Sequence, residues 1–133
     1  MNQSNLKDKI KLVAKEIIEE KGYLTSIDVL LKLEYLSQKN YENWRFGKVE
    51  YLEKVCNVNL KKLSTINKTI KEISSQMGLK KSWTAYNKFG KGRKIRLRFS
   101  KSGNEQIEES YATHYLNMDK IKNKARKHNK VQM

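Results

Sequence analysis

Apolar residues recur three and four apart over the first three-fifths of the chain and alternate with charged ones near residue 95. Leu6, Ile10, Val13 and Ile17, widened by Ala14 and Ile18, predict a first helix ending near Gly22. Tyr23 and Leu24 read as a short extended piece. Thr25 followed by Asp28 resembles a capping box, and Ile27, Leu30, Leu31 and Leu33 form the inner face of the helix it opens. Ser37 caps a further short helix through Trp44, stopped at Gly47, and Val49, Leu52, Val55 and Cys56 suggest one or two more turns. The longest helix starts at Asn57 or Asn59, carries Leu60, Leu63, Ile66, Ile70, Ile73 and Met77 inward, and ends at Gly78.

The period then becomes two. Ile95, Leu97 and Phe99 alternate with Lys94, Arg96 and Arg98, and Trp83 and Ala85 alternate with Thr84 and Tyr86. Gly90 and Gly92 supply the turn between them. The expectation is a β-hairpin with one face in the core and one basic face, ended by Ser102-Gly103. Glu105 to Leu116 reads as a short helix with Ile107, Tyr111 and Leu116 inward. From Lys120 the chain is charged with few apolar anchors, which predicts a disordered tail. The fold class is mainly α with a small β-hairpin. The division is a domain over 1–118 and a basic tail over 119–133.

Composition narrows the picture. The chain has 133 residues, enough for a single core. Apolar runs reach only three residues, as in Val29-Leu30-Leu31, so no membrane partner is expected, and Met1 to Lys15 lacks the apolar region of a secretory signal. Cys56 is the single cysteine, so no intramolecular disulfide forms and a reducing cytoplasm is expected. Its apolar neighbours Leu52 and Val55 make it a small hydrophobe rather than a reactive thiol. The absence of proline and the abundance of Lys, Asn and Ile point to a low-GC source.

Charge changes the picture most. The net charge is +15, and it sits in two segments without acids. Lys80, Lys81, Lys88, Lys91, Arg93, Lys94, Arg96, Arg98 and Lys101 form the first, and six Lys and Arg between Lys120 and Lys130 form the second. Without them the 14 remaining basic residues match the 14 acids. Concentrating charge on a hairpin and a tail builds the local positive field of a polyanion binder. A lysine-guarded edge strand shows a milder version of this bias, and the tail alone is equally well explained by solubility. The longest helix adds to it. Its outer faces carry Lys61, Lys62, Ser64, Thr65, Asn67, Lys68, Thr69, Lys71, Ser74, Ser75 and Gln76, with Glu72 the only acid, where a merely solvated helix would mix Glu with Lys.

The element order, with a polar-faced long helix just before a basic hairpin, resembles a winged helix-turn-helix domain over roughly Leu6 to Phe99. The resemblance implies four to six helices and a two- or three-stranded wing sheet. It makes the long helix the recognition helix, with Asn59, Lys61, Lys62, Thr65 and Lys68 facing bases or phosphates, joined at its edge by Asn67. It turns Lys88, Lys91, Arg93, Arg96 and Arg98 to the backbone. The chain is also similar to a family of small bacterial proteins through Tyr41-Glu42-Asn43-Trp44-Arg45-Phe46-Gly47, Tyr51-Leu52-Glu53, Leu97-Arg98-Phe99-Ser100-Lys101-Ser102-Gly103 and Tyr111-Ala112-Thr113-His114-Tyr115. That similarity implies no activity.

Catalytic readings are weaker. His114 and His128 lack metal-ligand spacing with Cys56. Tyr111, His114 and Tyr115 share a helix face, yet a buried, bonded histidine explains them as well. Glu50 and Glu53 have the spacing of a nuclease carboxylate pair, which helices show commonly. Gly90-Lys91-Gly92 lacks the strand and helix a phosphate loop needs. No cofactor, metal or catalytic residue is assigned. Trp44, Arg45 and Phe46 read as a packed corner. The sequence supports a non-catalytic nucleic-acid-binding protein, DNA favoured over RNA. Duplex binding would use the helix and wing. Single-strand binding would use Trp83, Tyr86 and Phe89 interleaved with Lys88, Arg93 and Arg96, and Lys80, Lys81, Lys94 and Lys101 complete the nucleic-acid-binding set. The alternative is a protein-interaction adaptor whose basic wing meets an acidic partner. A homodimer or a protein partner engaged through the tail stays open.

Overall fold

The apolar stripe beginning at Leu6 lies on a helix, α1, spanning Gln3–Lys21 in the computed structural model, which describes residues 3–121. Strand β1 (Tyr23–Leu24), α2 (Ser26–Lys32), α3 (Gln38–Arg45), a 3-10 turn (Leu52–Val55) and α4 (Leu60–Gln76) follow. Then come β2 (Lys80–Trp83), α5 (Glu105–Ala112) and β3 (Thr113–Leu116). The protein is mainly helical with a small three-stranded antiparallel sheet, in the order β1-β3-β2.

The caps sit where the sequence asks for them. Thr25, Ser37 and Asn59 each accept a hydrogen bond from the backbone N–H three residues on, satisfying donors that the first helical turn leaves free. Asp28 reinforces the first cap by accepting from the Thr25 hydroxyl at 2.9 Å. Leu6, Ile10, Ile17 and Ile18 of α1 are buried with Ile27 and Leu30 of α2 and Leu63, Ile66 and Ile70 of α4. An aromatic layer extends this core toward the basic segment. Trp44 packs on Phe99 with ring centroids 5.2 Å apart, Phe99 stacks on Tyr111 at 5.4 Å, and the Trp44 indole donates to the Arg98 carbonyl at 2.8 Å. Trp44 is therefore the packed corner expected of it, whereas Phe46 is exposed.

The β structure departs from the expectation. β2 does not pair with residues 94–99. It pairs with β3, Lys80 opposite Leu116 and Trp83 opposite Thr113, and β3 also pairs with β1. The expected hairpin shrinks to one bridge between Asn87 and Arg96, flanked by Lys88 N–H donating to the Ile95 carbonyl at 2.7 Å and Leu97 N–H donating to Tyr86 at 2.8 Å. Leu97 and Phe99 are buried as the alternation predicts. Ile95 is 50% exposed, because the hairpin leaves the core at that bridge. The helix expected over Glu105 to Leu116 stops at Ala112, and its last four residues are β3. Ile107 and Met77, expected inward, are exposed.

Residues 118–121, which take in the first three of the expected tail, are helical, with Asn117 capping the Lys120 N–H and Ile121 lying against Gly22. Lys120 forms an ion pair with Glu19. The rest of the expected tail lies outside the described residues.

Candidate nucleic-acid interface

Helix α4 buries Leu63, Ile66, Ile70 and Ile73, which leaves Lys61, Ser64, Lys68, Lys71 and Ser75 in solvent at steps of three and four. Lys61 and Lys68 are thus on the open face, as the sequence reading has them. The other named residues have local duties. Asn59 accepts from the Lys62 N–H at 2.8 Å. The Lys62 ammonium lies over the Tyr35 ring, 4.9 Å from its centroid. Thr65 donates its hydroxyl to the Lys61 carbonyl. Asn67 accepts from the Ser26 hydroxyl of α2 at 2.7 Å, so its amide oxygen is engaged within the fold. Ser64 and Lys71 were missing from the sequence-derived set. Their polarity is plain in the sequence, but only the packing reveals which polar face stays open.

The open face of α4 forms one wall of a groove of about 950 Å³, lined also by Lys81, Thr113, Tyr115, Lys101 and α5. The strand register explains the floor. Lys81 pairs with Tyr115 and Trp83 with Thr113, so these four side chains share one face of the sheet. Lys80, paired with Leu116, points to the other face, with Tyr23 and His114. The groove therefore gathers Lys68, Lys71, Lys81 and Lys101, whereas Lys80 stands apart.

The remaining basic residues lie on the arm between β2 and α5. Lys88, Lys91, Arg93 and Lys94 are exposed around a tip where Gly90 and Gly92 adopt φ values of +117° and +107°, reached readily only by glycine. Arg45 holds this arm to α3. Its carbonyl accepts from the Phe89 N–H at 2.7 Å, its guanidinium donates to the Asn87 carbonyl at 3.0 Å, and that guanidinium lies 4.0 Å from the Phe89 ring centroid and 5.1 Å from that of Tyr86. Cation–π contacts let a cation sit among rings without a carboxylate.

Trp83 and Tyr86, expected to act as a stacking pair, have separate fates. Tyr86 is buried against Trp44 and Phe99, with its hydroxyl 3.0 Å from His114 Nε2, so it offers no platform. Trp83 is 52% exposed, with the Arg96 guanidinium 4.7 Å from its ring centroid. Arg98 is held in place, donating to the Ser100 carbonyl at 2.7 Å and to the Lys101 carbonyl, and lying over Tyr51.

The residues considered for catalysis make contacts within the fold. Tyr111 is on α5, and His114 and Tyr115 alternate on β3, so they share no helix face. His114 stacks on Tyr23 at 5.4 Å, and burial lowers its pKa below the usual value. Glu53 accepts from the Tyr111 hydroxyl at 2.7 Å and the Lys101 N–H at 2.9 Å, whereas Glu50 faces solvent and pairs with Lys54. Burial pushes the Cys56 thiol up to about 12, with the Glu53 charge adding to the shift. Among the described residues, no three His, Cys, Asp or Glu side chains are grouped to hold a metal, and no helix is long and apolar enough to cross a membrane.

No protein-family model matches the chain, and no curated protein or solved structure shows significant similarity to it. The functional reading consequently rests on the chain's own geometry.

Proposed function

We propose that this protein binds nucleic acid, DNA in preference to RNA, without catalysing a reaction, and that it works in the cytoplasm. One observation carries the reading. Among the described residues, every ion pair involves Lys21, Lys32, Lys54 or Lys120, so no Lys or Arg from Lys61 to Lys101 is neutralised by a carboxylate. Cations that a fold leaves unpaired along one groove and one arm attract a polyanion, and neutralising phosphates with them releases condensed counterions.

The preference for DNA follows the winged-helix resemblance. It is supported by β2 leaving directly after α4 and returning antiparallel as β3. In this reading α4 is the recognition helix and the wing is the excursion over residues 84–112, which carries α5 within it. Duplex DNA would meet Lys61 and Lys68 on α4 and the arm lysines beyond. A single strand is favoured by a different observation, the exposed Trp83 on the same sheet face as Lys81, because aromatic surfaces beside a basic groove stack unpaired bases.

The test is fluorescence anisotropy with duplex DNA, single-stranded DNA and RNA across a salt series. For about five phosphate contacts, log K should fall against log salt with a slope of roughly −4 to −5 on duplex and less on single strands. Absence of binding near 50 mM salt, about the low end of the usual range, would instead favour an adaptor whose basic arm meets an acidic protein.

A further inference from the structure

We infer that the cavity beside Trp83 takes one unpaired nucleobase bearing an exocyclic amino group, which makes the ligand of the lysine groove a single strand. The inference rests on the nucleic-acid reading and names the ligand of that same surface. The cavity, of about 660 Å³, is lined by Trp83, Arg96, Leu97, Arg98, Glu105 and Glu109, among others. Trp83 supplies a flat apolar wall that is half exposed, with the Arg96 guanidinium over its ring. A base stacks on such a surface whatever its sequence, because every base has a flat π-face.

The carboxylates narrow the choice. Glu108, also in the wall, has both oxygens occupied, by the Phe99 N–H on one side and the Ser100 N–H and hydroxyl on the other. Glu105 and Glu109 accept no hydrogen bond from any described residue through their carboxylates. Glu105 and Glu109 offset the charges of Arg96 and Arg98 in the same wall, so what the cavity offers above the groove is the Trp83 ring and two acceptors, which suit an uncharged base better than the backbone. Those acceptors fit an amino donor, as on cytosine N4, whereas thymine presents carbonyl oxygens on both sides of its single ring N–H.

Continuity with the groove completes the argument. Lys81 and Trp83 are two residues apart on one face of β2, about 7 Å along the strand. Glu109 lines both the groove and the cavity. A strand whose phosphates follow Lys68, Lys71 and Lys81 arrives with a base at Trp83.

The experiment titrates short oligodeoxycytidine and oligothymidine of equal length, and a duplex control, into the full-length protein at low salt. Anisotropy and tryptophan emission are followed, with Trp83→Phe giving the emission background of buried Trp44. The inference expects quenching of Trp83 and at least about fivefold tighter binding of oligodeoxycytidine, the lower end of discrimination by a well-placed polar contact. Trp83→Ala should weaken both single strands by about fivefold or more, and Glu105→Gln with Glu109→Gln should erase the base preference while leaving oligothymidine bound. Binding of both oligonucleotides without Trp83 quenching, preference for oligothymidine, or binding of duplex alone would overturn the base pocket and leave the nucleic-acid reading standing. Failure to bind any of the three overturns both.

Discussion

Replacing Glu53 tests the knot that sets the wall of the groove. Its carboxylate joins three distant segments. It accepts from the Tyr111 hydroxyl of α5 and the Lys101 N–H of the returning arm, while its own backbone N–H donates to the Phe99 carbonyl. Tyr111 is 1% exposed, and burial, with the Glu53 charge behind it, holds its hydroxyl pKa far above the usual value. Glu53→Ala strands that hydroxyl in the core, whereas the exposed Lys101 N–H can turn to water. A stranded buried donor costs about 1–3 kcal/mol, and a hydrogen bond to a charged group is worth about 1.5–3 kcal/mol. The expected loss for Glu53→Ala is therefore about 2–4 kcal/mol, a fall in melting temperature on the order of 10 °C for a chain of this size. Tyr111→Phe removes the donor and leaves the Glu53 carboxylate bonded to the Lys101 N–H and open to water, so it should cost less, about 1 kcal/mol. The double variant should be much less destabilised than the sum of the two, with a coupling of about 1–3 kcal/mol. Thermal melts by circular dichroism for the four proteins complete the cycle. A Glu53→Ala protein that melts within about 2 °C of the parent, or costs that simply add, would refute the reasoning.

Three further predictions concern charge. Cys56, Tyr86 and Tyr111 all have folded pKa values raised by burial, so the folded state keeps protons that the unfolded chain releases. Their contribution is complete below the unfolded values and is lost as pH rises above about 9, which alkaline melts should show. His114 runs the other way, since its lowered pKa means stability is lost as pH falls below about 6.5, a loss that His114→Phe should flatten. In the arm, Arg98→Ala should lower both stability, by about 1 kcal/mol, and nucleic-acid affinity, because Arg98 is bonded to two carbonyls. Arg96→Ala should lower affinity while moving stability by less than about 0.5 kcal/mol, and equal melting effects for the two would contradict this division.

The helices were legible because their signals are local. Thr25, Ser37 and Asn59 are good N-caps, and Leu63, Ile66, Ile70 and Ile73 carry the helical period within one segment. The sheet was not, because β3 lies thirty residues beyond β2 in a stretch whose Ile107 and Tyr111 already read as helical. Pairing over that separation leaves no local mark. Ile95 was misread for a related reason. The alternation it belongs to is genuine, but burial needs a partner, and the arm leaves the aromatic layer before reaching it. The basic character of the site was plain from composition. Which cations converge was not, since Lys80 and Lys81 are adjacent in sequence and on opposite faces of β2. Asn67 and Lys71 likewise lie one turn apart on α4, and only Ser26, on another helix, decides that the amide oxygen of the first is bonded within the fold. Tyr86 was claimed by Trp44 and His114, leaving Trp83 alone on the surface.

The groove lysines provide the most direct test of the central claim. Lys68→Ala, Lys71→Ala and Lys81→Ala combined remove three exposed cations that hold no ion pair in the fold. Stability should stay within about 1 kcal/mol of the parent. Each phosphate contact contributes about 0.7 to the salt slope on a single strand, so the slope of log K against log salt should become shallower by roughly 2, and affinity near 50 mM salt should fall steeply. A triple variant that melts like the parent and retains both its affinity and its salt slope would contradict the account.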